Sequence, residues 1–241
     1  MIDLNALSND ELQEMYHAGG VVSETMRVLQ KSNTNIVGEL LKTVENFYEW
    51  EHIPKEDVYD AHSHCQYYYH AHAKSEDGSS LHDDEHGHFH TFIRGKGIPD
   101  DISPCPLDDY DPNMDIKDVN AHLIGIGMDQ MGTPIRLFTV NRWVTGETWH
   151  QATDTATLLE HFEIDHVHPS WAVNLWLSNM ILLFKPYIKH LIQQRDEAIT
   201  QWHTKHKSDN VYEDRGLEVT SHLDINLITH IENIENVLNA R

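Results

Sequence analysis

Histidines on an alternating spacing dominate one short stretch of this chain: His62, His64, His70 and His72, then His82, His86, His88 and His90, among twenty in 241 residues. Alternate residues of a β-strand point to one side, about 6.5–7 Å apart, and the neighbouring strand lies about 4.8 Å away. An imidazole nitrogen sits about 2.0–2.1 Å from a zinc ion. Two His-x-His pairs on facing strands therefore converge on one cation, and His70 and His72 against His88 and His90 are the first such set. His86, His64 and His122, which opens a later strand, are further candidate ligands. A cation also removes an electrostatic difficulty, because half-buried histidines repel one another when protonated and lack hydrogen-bond partners when neutral. For any one of these histidines a solvated strand face is the better explanation, whereas for the combined pattern metal is.

All-imidazole ligation suits zinc, iron, copper or nickel, with zinc or iron favoured, and a carboxylate from Glu76 or Glu85 moves the site towards non-haem iron or catalytic zinc. Calcium and magnesium take oxygen ligands and do not suit it. Cys65 faces away by strand parity. The leading expectation is a metal-dependent enzyme of hydrolase or oxygenase type, acting on a small-molecule substrate between the sheet and the C-terminal helices. An open coordination position would activate water or dioxygen, with Glu85 as base and Tyr68, Tyr69 and Arg142 lining the pocket. The alternative is a non-enzymatic metal storage, delivery or sensing protein. In that case the stretch His82-Asp83-Asp84-Glu85-His86 is a mobile loop that captures ions.

Three sets of residues resemble known families. The run His86-Gly87-His88-Phe89-His90-Thr91-Phe92 resembles the histidine-triad motif of nucleotide hydrolases and transferases, which implies attack on phosphorus by His88 or His90 without metal. Gly87 and Thr91 depart from its apolar alternation, and a polar loop precedes it where that family has a strand. The run His70-Ala71-His72-Ala73-Lys74-Ser75-Glu76 resembles the first metal motif of cupins, implying two histidines and a glutamate around iron or manganese. Asp83 stands where cupins place a glycine, and a long helical C-terminal half is foreign to a simple cupin barrel. Finally, Tyr67-Tyr68-Tyr69-His70-Ala71-His72, Gly87-His88-Phe89-His90 and Asn141-Arg142-Trp143-Val144-Thr145-Gly146-Glu147 together resemble an uncharacterised bacterial family of unknown function, which implies no activity.

The elements that must hold these residues follow from periodicity. Ser8-Asn9-Asp10-Glu11 is a capping box that starts a helix, expected to stop near His17 at Gly19-Gly20, with a second helical segment after Ser23. Ile36, Leu40, Leu41, Val44 and Phe47 mark a third, closed by Pro54. From Asp60 the period becomes two, and strands are expected at 60–72, 86–93, 122–128 and 135–142, with Met131-Gly132-Thr133-Pro134 as a hairpin turn. Residues 95–118 are rich in Pro, Asp and Gly and should form a long excursion. Trp171–Phe184 and a segment from Tyr187 to about His203 are helical, with Pro186 kinking or separating them. Asp224 is expected to cap a last helix bearing Leu227, Ile231, Ile234 and Leu238. The sum is a single α+β domain over 1–241: a helical part at 1–58, a His-rich central antiparallel β-sheet of at least four strands at 59–149, and long C-terminal helices at 150–241 packed on it.

Composition bounds the partners. With 17 Lys plus Arg against 39 Asp plus Glu, the formal charge of −22 disfavours nucleic acid and anionic membrane surfaces. The N-terminus lacks the basic and apolar parts of a signal peptide, and two cysteines make no disulfide framework, so a reducing cytoplasm is expected. Oligomeric state stays open.

Overall fold

The computed structural model describes residues 2–75, 80–111, 113–207 and 209–241. Its elements in chain order are α1 (Asn9–Lys31), α2 (Ile36–Leu41), β1 (Ile53–Tyr59), β2 (Cys65–His70), β3 (Gly87–Arg94), β4 (Asn120–Met128), β5 (Pro134–Val140), α3 (Arg142–Thr145), α4 (Ala152–Leu158), α5 (Trp171–His206), β6 (Val219–Asp224) and α6 (Leu227–Asn239). The six strands form one antiparallel sheet in sequence order, β1-β2-β3-β4-β5-β6. This is the α+β architecture expected, enlarged by an edge strand from each flanking segment. Pro54 lies in β1, where an edge strand tolerates a residue that cannot donate to the ladder.

Alternation along the strands sorts the two faces. Cys65, Tyr67 and Tyr69 of β2, Phe89 and Ile93 of β3, Ile124 and Ile126 of β4 and Leu137 of β5 join the core made with α1, α5 and α6. Phe89 meets Trp176 of α5 at 5.7 Å between ring centres. The opposite face carries Tyr68, His70, His88, His90, Phe92 and Phe138. Cross-strand pairing sets Tyr68 opposite His90 and His70 opposite His88.

Several boundaries differ from those read in the sequence. The Ser8–Glu11 capping box is present, with the Ser8 amide donating to Glu11 Oε2 at 2.8 Å and the Glu11 amide to Ser8 Oγ at 3.2 Å. α1 does not stop at Gly19-Gly20 but runs on to Lys31. Gly19 is a packing position, where a Cβ would lie 2.8 Å from Cγ1 of Ile231 and 3.3 Å from Cδ1 of Leu183. At Gly20 a Cβ would meet nothing within 4 Å. Gly20→Ala should therefore stabilise the protein by about 0.5–1 kcal/mol through helix propensity, a gain Gly19→Ala should lack. Urea denaturation of the two variants measures the difference. Pro186 leaves α5 continuous, as buried side chains on both sides of it, Leu183, Phe184, Ile188 and Leu191, hold the two halves against one core. α2 ends at Leu41, well before Phe47, and the cap of α6 is Asn226, which accepts from the Thr229 amide, because Asp224 belongs to β6. No helix among the described residues is long and apolar enough to cross a membrane.

Candidate metal centre

The centre begins at the β2–β3 pair. His88, 2% exposed, sends its Nδ1 to Glu85 Oε2 at 2.9 Å. Its Nε2 lies 2.8 Å from His70 Nε2 and 3.2 Å from His72 Nε2. A neutral His88 that donates from Nδ1 keeps its lone pair on Nε2, the atom on which the other two rings converge. Ligands of a tetrahedral ion at 2.0–2.1 Å stand about 3.3 Å from one another, close to each of the two separations from His88 Nε2. His90 repeats the arrangement one step along the strand. Its Nδ1 faces His122 Nε2 at 3.0 Å, and its own Nε2 is buried without a partner among the described residues. His70, His88 and His90 each offer a ligand atom within 4.8 Å of the others, and so do His82, Glu85 and His88. These buried His/Glu groups could hold a metal ion.

Two glycines make room for this crowd. Gly127 of β4 faces His88, and a Cβ there would lie 2.3 Å from Glu85 Oε1. Gly125 faces His90, and a Cβ there would lie 2.4 Å from the Phe138 ring. Glu85 is 7% exposed and held on both oxygens, Oε1 by Arg136 Nη1 at 3.2 Å and Oε2 by His82 and His88. A carboxylate so placed sets the tautomer and angle of the ring it accepts from. Gly127→Ala should push it away and weaken metal affinity about 10–100-fold, the usual cost of losing an orienting carboxylate. Competition titration against a chelator measures the loss.

The electrostatics favour lone pairs over protons. Burial, then neighbouring histidines, pushes His70 down to about 3 and His88 and His90 well below the ordinary imidazole range. His122 is also pushed to about 3 by burial, helped by Arg195. All four are neutral at pH 7, the state that ligation needs. Behind them, the His122 amide donates to Glu147 Oε2 at 3.0 Å, and burial raises that carboxyl to about 7.

A family model described as a domain of unknown function, DUF6969, matches residues 16–225. The chain belongs to the DUF6969 family. This agrees with the likeness to an uncharacterised family carried by the β2, β3 and Asn141–Glu147 segments, and it brings no activity. No curated protein and no solved structure matches the chain.

In this DUF6969 member the residues singled out by sequence divide cleanly. His70, His72, His88 and His90 come together, with Glu85 beside them. His122 stands behind His90, and Tyr68 flanks the cluster, stacked on His52 at 3.6 Å and 5.2 Å from the His90 ring. His64 lies in the β1–β2 turn with φ 60° and bonds Tyr59. That turn, in which the Asp60 side chain accepts from the amides of His62 and Ser63, cuts short the strand expected from residue 60. His86 points to the helix side, 2.7 Å from the Tyr69 hydroxyl. Arg142 is far from these contacts, bonded to Asp109 and Glu213 and lying over the Tyr110 ring. Glu76 of the cupin-like run falls outside the described residues. The run His82–His86 is tied down: Asp83 accepts from Ser75, and Asp84 pairs with Arg136. Sequence reasoning placed His82 only in the ion-capturing loop and left out Arg136, Phe138 and Trp50, which stacks on His72 at 4.6 Å. One signal was available, since Gly125 and Gly127 alternate in β4 and announce a crowded neighbour on that face.

Proposed function

We propose that this protein binds a first-row transition-metal ion, zinc or iron ahead of copper or nickel, through His70, His72, His88 and His90. The observation that carries this reading is the pair of buried rings, His88 and His90, each with Nδ1 engaged: the Nε2 of His88 is met by those of His70 and His72, and the Nε2 of His90 has no partner among the described residues. An imidazole set suits these metals, and Glu85 supplies the carboxylate that orients His88.

The use of the ion that best suits the site is catalysis on a very small molecule. The space against His72, His82, Glu85 and His88 is about 10 Å³, room for one water or an ion and none for a larger substrate. Water or dioxygen in an open coordination position would be activated there, as in hydrolases and oxygenases. Tyr68 would pack beside His90 rather than line that position, and Glu85 would act chiefly by holding His88. Storage or delivery is the second reading, supported by the histidines at the rim, His72 and His82. A histidine-triad mechanism finds no support, because His88 and His90 are 2% and 1% exposed and a nucleotide has no room beside them.

Elemental analysis of untagged protein, followed by melting with and without chelator, tests the proposal. Free metal at 1,000 times its Kd contributes about 4 kcal/mol, which raises the Tm of a chain this long by roughly 8–16 °C. No bound metal and an unchanged Tm would remove the reading. A single tight ion that turns over substrate favours the enzyme, and rapidly exchanging ions without turnover favour storage.

A further inference from the structure

We infer that the centre is built for two ions that share His88, the second held at the rim by His82 and Glu85. The inference rests on the first ion proposed above and adds to it a second site with its own ligands. His88 is common to both groups of converging ligand atoms, the His70–His90 group and the His82–Glu85 group. Its two ring nitrogens face opposite ways, Nε2 to His70 and His72 and Nδ1 to Glu85. On the Nδ1 side His82 is turned inward, its side chain 8% exposed and its ring 4.7 Å from that of His88 and 5.5 Å from that of His72.

Space and charge point the same way. The space of about 10 Å³ is lined by His72, His82, Glu85, His86, Gly87 and His88, which places a recess of one-ion size against the second group. Arg136 is the only cation bonded to Glu85 among the described residues, and it is shared with Asp84 at 2.9 Å and Asp224 at 2.8 Å. Three carboxylates around one guanidinium leave a negative excess for a dication to neutralise. Without metal, His82 and His88 both donate to the same oxygen, Glu85 Oε2, at 3.0 and 2.9 Å. A cation at that position replaces both ring hydrogens. His82 moves its proton to Nε2, and His88 releases its proton to solvent and bridges the two ions as imidazolate. The mixed carboxylate and imidazole donors suit zinc or iron at the rim, with copper as a spectroscopic probe.

The test is to strip untagged full-length protein, load it with Cu(II), and compare copper content with the spin count by electron paramagnetic resonance. Two Cu(II) ions joined by an imidazolate couple antiferromagnetically, so two coppers per chain with a spin count well below the copper content is expected. His82→Ala should retain one copper per chain with its full spin count. His82→Gln keeps a donor to Glu85 and should behave in the same way, which separates ligand loss from local disorder. One copper per chain in the wild type, or two with full spin count that persist in both variants, overturns the shared site and leaves the single-ion reading intact. No copper at all removes both.

Discussion

His88→Ala should abolish retention of the transition metal proposed for this centre. His88 meets His70 and His72 directly and His82 through Glu85, and it is the residue common to both groups of converging atoms. Losing only an orienting partner of a ligand costs about 10–100-fold in affinity, so removal of the central ligand should cost at least about 100-fold. Dialysis against a chelator followed by elemental analysis shows it. His64→Ala, whose ring bonds Tyr59 in the β1–β2 turn, should bind metal as the wild type does. Equal retention by the two variants would place the ion elsewhere.

The second large effect is on acid stability of the metal-free protein. His70, His88, His90 and His122 are held neutral in the fold by burial, whereas in the unfolded chain they titrate near 6.5. The unfolded state therefore binds more protons below that pH. Their contribution is complete above about pH 6.5 and drains away as the pH falls towards the folded values, about 3 for His70 and His122. Glu147 works in the opposite sense, since burial raises it to about 7 and the folded state holds its proton between pH 4.5 and 7. With one of the four histidines offset in this way, these groups alone should lower stability by up to about 4 kcal/mol per pH unit below 6, and His72, His86, His150 and His230, which burial also lowers, add to the loss. Against a typical 5–15 kcal/mol in total, that unfolds the apoprotein between roughly pH 6 and 4. His122→Gln should flatten the slope by about 1.4 kcal/mol per unit. Urea titrations at half-unit steps measure both slopes, and a flat profile would mean that the four rings are solvated.

How much of this was legible in the sequence depends on the range of the interaction involved. The β2–β3 hairpin and its four histidines were readable because strand parity is local: residues two apart share a face whatever the rest of the chain does. The Ser8–Glu11 cap was readable for the same reason. β1 and β6 were not, since each is held by pairing with a strand already formed, and neither alternates clearly. The continuous α1 was missed because Gly19-Gly20 is a stop signal in isolation, and only the nearby Ile231 and Leu183 show that at Gly19 a missing side chain is needed.

His122 divides the two kinds of information most sharply. Parity along β4 groups it with Ile124 and Ile126, on the face covered by helices. A bulge adds one residue to β4 between its pairings with Thr91 and Phe92, so that Thr91 opposes Ile124 while Phe92 opposes His122, and the side is reversed. His122 thereby reaches His90, and Glu147 braces it from behind. Sequence alone determined that this chain carries a hairpin of paired histidines suited to a transition metal, because residue type and a period of two are properties of a few neighbouring positions. Only the tertiary structure decided which rings meet, through a bulge, two glycines in β4 and a carboxylate bound by Arg136, because close packing between segments distant in sequence sets those distances.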